Sequence, residues 1–165
     1  NLFRVANGVC FIEIHNVVYP YQDEKGKTLW YGRMEKVLTV YNFETGESTP
    51  IEELGTQVFE AVPYKKAVET EAEQEVLSDT DNPLAGMEIY CFFGYDTFPE
   101  MAAQMAELGM TLEEPTNPNE RNRYLVNALG YMDGDTRETK VLVKGDFDGN
   151  YFVDDTAGES QPRCA

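Results

Sequence analysis

Alternation of apolar residues is the first constraint on what this chain can fold into. Residues 9–18 read Val-Cys-Phe-Ile-Glu-Ile-His-Asn-Val-Val, which places Cys10, Ile12, Ile14 and Val18 on one face of an extended chain. Val9, Phe11 and Val17 line the opposite face, so this strand is expected to be covered on both sides. A second run, residues 28–43, is dense in aromatic and β-branched side chains, which suit a pleated, half-buried surface. Polar residues 22–27 connect the two, and Glu44-Thr-Gly-Glu marks the next turn. The chain therefore opens on a β-sheet.

Helical signals interrupt the β pattern further on. After a short strand at 57–62, Pro63 suits the first turn of a helix running to Leu77, with Tyr64, Val68, Ala72 and Val76 on one side. Asn82-Pro83 breaks it. Met87, Ile89, Cys91 and Phe93 form one face of a strand. Thr97 and Glu100 then have the spacing of a capping box, before a helix whose stripe is Met101, Met105 and Leu108 and whose stop is Gly109. Another helix is expected from Asn117, with Pro118 first, Glu120 in its first turn, Tyr124, Leu125, Ala128 and Leu129 buried, and Gly130 at its end. Met101, Met105 and Met110 read as core filling. Thr139, Val141 and Val143 alternate in a half-exposed strand, and residues 147–153 suit a last short one.

This order predicts an α+β fold, a mostly antiparallel sheet of about five to seven strands with two or three helices on one side. A mixed sheet is the alternative. One domain is expected over residues 1–156, with 157–165 as a loose tail, because 165 residues suffice for a single core.

Charge constrains the partners. Thirty acids against thirteen bases give a formal net charge of −17. Small domains ordinarily carry a magnitude of about 2–8. Such a surface repels nucleic-acid phosphates and anionic lipid, which are bound through Lys and Arg. It attracts basic proteins or divalent cations. Between Glu69 and Asp81 lie six acids and no base: Glu69, Glu71, Glu73, Glu75, Asp79 and Asp81. With Asp133 and Asp135 as a second patch, they are the predicted partner-binding residues. The expected partner is a basic protein surface, such as that of a nuclease or other nucleic-acid-binding protein. The chain would then be a non-enzymatic inhibitor or nucleic-acid mimic, with no direct contact to nucleic acid or membrane. That expectation is one of physical type.

Metal chemistry supplies the alternative. Asp146-Phe-Asp148-Gly-Asn150-Tyr-Phe152-Val-Asp154 spaces oxygen donors at alternate positions, as calcium loops do. Over these nine residues it resembles an EF-hand or dockerin-type loop. The resemblance implies calcium held by Asp146, Asp148, Asn150, the Phe152 carbonyl and Asp154. Tyr151 stands where that pattern has its turn glycine, and Ala157 where it has the closing acid. A tight turn in which Asp and Asn bond their own backbone explains the same residues. So does an Asp-Gly-Asp turn for Asp133 and Asp135, although paired with Asp146 and Asp148 they would make a four-carboxylate cluster. A structural, extracellular or virion module with such a calcium site is thus the second reading.

Enzymatic signatures are weak. His15, the one histidine, shares a strand face with Glu13, an arrangement that serves acid–base chemistry or merely packs. No G-x-S-x-G, Walker A or G-x-G-x-x-G sequence occurs, and no catalytic residue is assigned. The three cysteines, Cys10, Cys91 and Cys164, are odd in number and widely spaced, which favours a reducing, cytoplasmic setting. Cys10 and Cys91 read as buried hydrophobes; a bridge between them stays open at this point. No apolar stretch reaches the roughly 18–20 residues that span a bilayer as a helix.

Overall fold

A computed structural model describes residues 2–67, 81–145, 151–153 and 163–164, the last two segments by backbone alone. Ten strands form two antiparallel sheets. The first contains β1 (Leu2–Val5), β2 (Gly8–Gln22), β3 (Thr28–Asn42) and β4 (Ser48–Pro50), in that order. The second runs β10-β9-β8-β7-β6-β5, from β5 (Val58–Lys65), β6 (Met87–Asp96), β7 (Leu125–Asp133), β8 (Thr139–Gly145), β9 (Tyr151–Val153) and β10 (Arg163–Cys164). The antiparallel expectation holds, but as two sheets around a shared core instead of one sheet backed by helices.

Both sheets contribute to that core. Cys10, Leu38 and Val40 from the first meet Val58, Ala61, Ile89, Cys91, Ala128 and Met132 from the second, with Ile51, Leu54 and Leu84 between. Full burial of such side chains stabilises by about 1.5–3 kcal/mol each. The sheets also join through the backbone at Gln57. It forms a parallel bridge to Lys36, and its carbonyl accepts from the Gly94 N–H at 2.7 Å.

Among the described residues α-helix is confined to two segments. One full helix, α1 (Phe98–Glu107), follows β6, and α2 (Pro118–Arg121) is a single turn continued by a 3-10 turn at Asn122–Tyr124. α1 lies where expected, and Gly109 follows it with a positive φ of 75°. Its capping differs. Asp96 Oδ1 accepts from the Phe98 N–H at 3.1 Å, whereas the Thr97 hydroxyl donates to the Tyr124 carbonyl at 2.6 Å. Glu100 is engaged by the Tyr95 hydroxyl and by Lys144 at 3.1 Å. The methionine stripe is not core: α1 buries no residue, and Met101, Leu108 and Met110 are exposed.

The start of one expected helix and most of another give way to strands. Pro63 lies inside β5, opposite Ile89. β5 is an edge strand, where a missing N–H need not cost a ladder bond. Residues 68–77 of that expected helix lie outside the described residues. Asn117 does cap a turn, accepting from the Asn119 N–H at 2.9 Å, but the chain turns extended at Leu125. From there Val126, Ala128, Gly130 and Met132 alternate inward. Gly130 ends no helix: it lies at a register shift beside Phe93, whose ring would stand 2.5 Å from an added Cβ. Small residues at 128 and 130 give the Phe93 ring its room.

Candidate functional site

The described residues on either side of the acid-rich segment meet at one end of the second sheet. At its neck the Lys66 N–H donates to the Gly86 carbonyl at 2.8 Å, and Asn82 Nδ2 donates to the Gly134 carbonyl at 2.6 Å. Gly134 belongs to the β7–β8 turn, so the topology brings the neck and the Asp133–Asp135 turn together. Asp81 is exposed beside them, while Glu69, Glu71, Glu73, Glu75 and Asp79 lie outside the described residues.

Asp133 and Asp135 shape this turn and hold a lysine. Asp133 Oδ1 accepts from the Asp135 N–H at 2.8 Å, as an Asp-Gly-Asp turn requires. Lys66 Nζ lies 2.8 Å from Asp133 and 2.7 Å from Asp135. Burial alone would lower the ammonium pKa, but these two hydrogen bonds outweigh it and raise it. The bond from Lys66 in turn holds the Asp133 carboxyl below the ordinary aspartate range, against some desolvation. Nearby, Arg137 pairs with Glu53 at 3.7 Å. Lys66 thus offsets one of the two aspartate charges, and the Asp133–Asp135–Lys66 cluster keeps one net negative charge.

Of the four-carboxylate cluster, Asp133 and Asp135 are described, whereas Asp146 and Asp148 lie outside the described residues. β8 carries the chain roughly 20 Å, at about 3.3 Å per residue, so the Asp133–Asp135 turn and Gly145, which precedes Asp146, stand at opposite ends of one strand. Of the calcium-like loop, Phe152 is a β9 residue opposite Lys144, whereas Asp146, Asp148, Asn150 and Asp154 lie outside the described residues. The segment that precedes the loop, β8, is a strand, and it pairs antiparallel with β9 inside the loop. Among the described residues no group of three or more His, Cys, Asp or Glu side chains is placed to hold a metal.

Glu13 and His15 do meet, in an exposed hydrogen bond on β2. Across the ladder His15 stands opposite Glu35, so the imidazole faces carboxylates. Cys10 and Cys91 are buried and unbridged. Burial pushes both thiols up to about 12, which suppresses the reactive thiolate. Within the described residues no helix is long and apolar enough to cross a membrane.

Sequence reasoning missed the arginine sites. Arg33, on the distal part of β3, donates to Glu35 at 2.8 Å, to Thr56 Oγ1 at 3.0 Å and to Asn122 Oδ1 at 3.3 Å. Asn122 donates to the Tyr31 hydroxyl at 2.6 Å. Desolvation would raise the Glu35 pKa, but bonds from Arg33, Tyr19 and Thr56 outweigh it and lower it. Arg121 clamps Asp96 and Glu114 while its guanidinium sits 4.8 Å from the Phe98 ring centroid. Both arginines border a cleft of about 320 Å³ near Gly94. Each already has carboxylate partners, so the cleft offers little net positive charge to an anion. No local motif announces these contacts, since Arg33 and Asn122 are 89 residues apart.

A larger feature also escaped. Beyond Ile14 and Met34 the β2–β3 hairpin extends past the core, with Ile14, Val18, Trp30 and Met34 exposed. On the second sheet, Phe59, Phe92, Tyr64, Tyr90 and Tyr131 form an outer aromatic row, neighbouring centroids being 5.3–5.7 Å apart within the pairs Phe59–Phe92, Tyr64–Tyr90 and Tyr90–Tyr131. Comparison with protein-family models, with curated proteins and with solved structures finds no match for this chain.

Proposed function

We propose that this chain is a non-enzymatic acidic binding protein whose 69–81 segment occupies a basic surface of a partner protein. The favoured partner is a nucleic-acid-handling enzyme, inhibited by occupation of the groove that would otherwise hold phosphates. One observation carries the reading. The residues that flank the stretch with six acids and no base, Lys66 and Gly86, are hydrogen-bonded to each other at one end of a packed sheet. At that neck Lys66 and Arg137 are already paired with Asp133, Asp135 and Glu53. Six carboxylates with no base among them attract a Lys- and Arg-lined groove over a Debye length of about 8 Å at physiological salt.

The test is binding of the full chain to a panel of purified nucleases and other DNA-binding proteins. The quadruple change of Glu69, Glu71, Glu73 and Glu75 to Gln is measured beside it. Binding that weakens with salt and falls at least about tenfold in the variant supports the proposal. Unchanged binding by the variant, or no binding anywhere in the panel at low salt, overturns it.

A further inference from the structure

We propose that the distal face of the β2–β3 hairpin is a self-association surface, on which a second copy of this chain docks. Five cross-strand pairs present that face: Ile14 with Lys36, Asn16 with Met34, Val18 with Gly32, Pro20 with Trp30, and Gln22 with Thr28. In a chain of net charge −17, none of these ten residues is acidic and Lys36 alone is charged. Exposure is high at Ile14 (57%), Val18 (61%), Trp30 (67%) and Met34 (51%).

The occupant follows from charge and shape. A basic partner finds no carboxylate here, and an acidic one finds only Lys36, whose ammonium already sits 5.4 Å from the Phe59 ring centroid. Another copy offers the same uncharged strip, and this is a face where two strongly acidic chains approach with least repulsion. The strip also carries its own complement. Trp30 projects from it, and two residues along the same strand Gly32 leaves a recess, with nothing within 4 Å of an added Cβ. About a two-fold axis, each indole covers the partner's Gly32, flanked by Val18 and Met34. The contact is isologous and closed.

The area is of the right order. An aromatic side chain buries about 150–250 Å² when fully covered, and Trp30 with the smaller Ile14, Val18 and Met34 exposes on the order of 400–500 Å². With their polar neighbours they approach the roughly 800 Å² per partner of a standard interface. Hairpins of this length are otherwise marginal in water.

This inference stands apart from the acidic-loop proposal, and salt separates them. Binding to a basic partner weakens as salt rises, whereas association of two acidic copies strengthens because their mutual repulsion is screened. The experiment is sedimentation velocity of the full chain across concentration and sodium chloride, with emission from Trp30, the one tryptophan. The expected result is a monomer–dimer equilibrium that shifts to dimer with salt and blue-shifts the indole. Trp30→Lys and Gly32→Lys should each weaken the dimer roughly tenfold or more with unchanged circular dichroism. Three results overturn it: a monomer under every condition, a dimer indifferent to both substitutions, or a monomer whose indole already emits as a buried one. The last would mean that another segment of the same chain covers the face.

Discussion

The β2–β3 hairpin is one pair of strands with two fates. At its base Cys10, Leu38 and Val40 lie at or near full burial between the two sheets. Further along, Ile14, Val18, Trp30 and Met34 continue the even-numbered register into solvent. Apolar residues recur on this face in both halves, though Lys36, Asn16, Gln22 and Thr28 interrupt them in the distal one. What differs is whether anything stands opposite. β5 and β6 pack over the base, and the distal part outruns them. Apolar alternation therefore records that a strand has a dry face, without recording what makes it dry. For the distal part a second copy of the chain is the proposed cover.

The comparison breaks first at Leu38. Its replacement by Ala should cost about 2–5 kcal/mol, the range for truncating a fully buried leucine, read as a lower urea midpoint. Trp30→Ala removes a larger side chain, and in the monomer it should cost under about 0.5 kcal/mol. If Trp30→Ala costs as much as Leu38→Ala in dilute protein, the distal half is as well packed as the base and the contrast fails.

Legibility in the sequence divides along the same line. β2, β3, β6 and β8 are readable because alternation is local and period two admits little else. The failures are places where a tertiary neighbour chose the residue. Ala128 and Gly130 look like a helix and its stop, yet both lie in β7, where the Phe93 ring leaves no room for a side chain at 130. Pro63 looks like a helix start, yet it is tolerated by an edge strand whose position depends on the whole sheet order. Thr97 and Glu100 have capping-box spacing, but Tyr124, Tyr95 and Lys144 compete for their oxygens. The acidic character of the candidate site was plain from composition. Pairing of Lys66 with Asp133 and Asp135 was not, because it joins positions 67 and 69 residues apart.

A second, smaller effect sharpens the contrast from the other face of the distal hairpin, where Arg33 and Tyr31 bind Asn122. Glu35 is 8% exposed, so removing Arg33 leaves a nearly buried carboxylate without its cation. Arg33→Met should cost about 1–3 kcal/mol near neutrality, by thermal or urea unfolding. The pH dependence has a definite sign. Glu35 is held below the ordinary glutamate range in the folded chain, so its stabilisation is complete above that range. It is lost as pH falls through the lowered folded value. Wild type and Arg33→Met should accordingly converge in stability below about pH 4. A gap that stays constant across that interval would mean that Arg33 acts through packing alone.

The smallest effect is the most informative about the exposed face. Val18→Thr exchanges a methyl for a hydroxyl at a β-branched position that is 61% exposed. Strand propensity is nearly conserved, and no buried group loses a partner. In dilute, low-salt monomer the urea midpoint should therefore move by no more than about 0.5 kcal/mol in equivalent stability. At high salt and high concentration the same change places a hydroxyl inside the dimer contact, beside the partner's indole. Sedimentation should then show a weaker dimer although the monomer is unchanged. Should Val18→Thr instead destabilise dilute protein as a core substitution does, the face is already covered by the chain itself. The two halves of the hairpin would then differ only in which segment buries them.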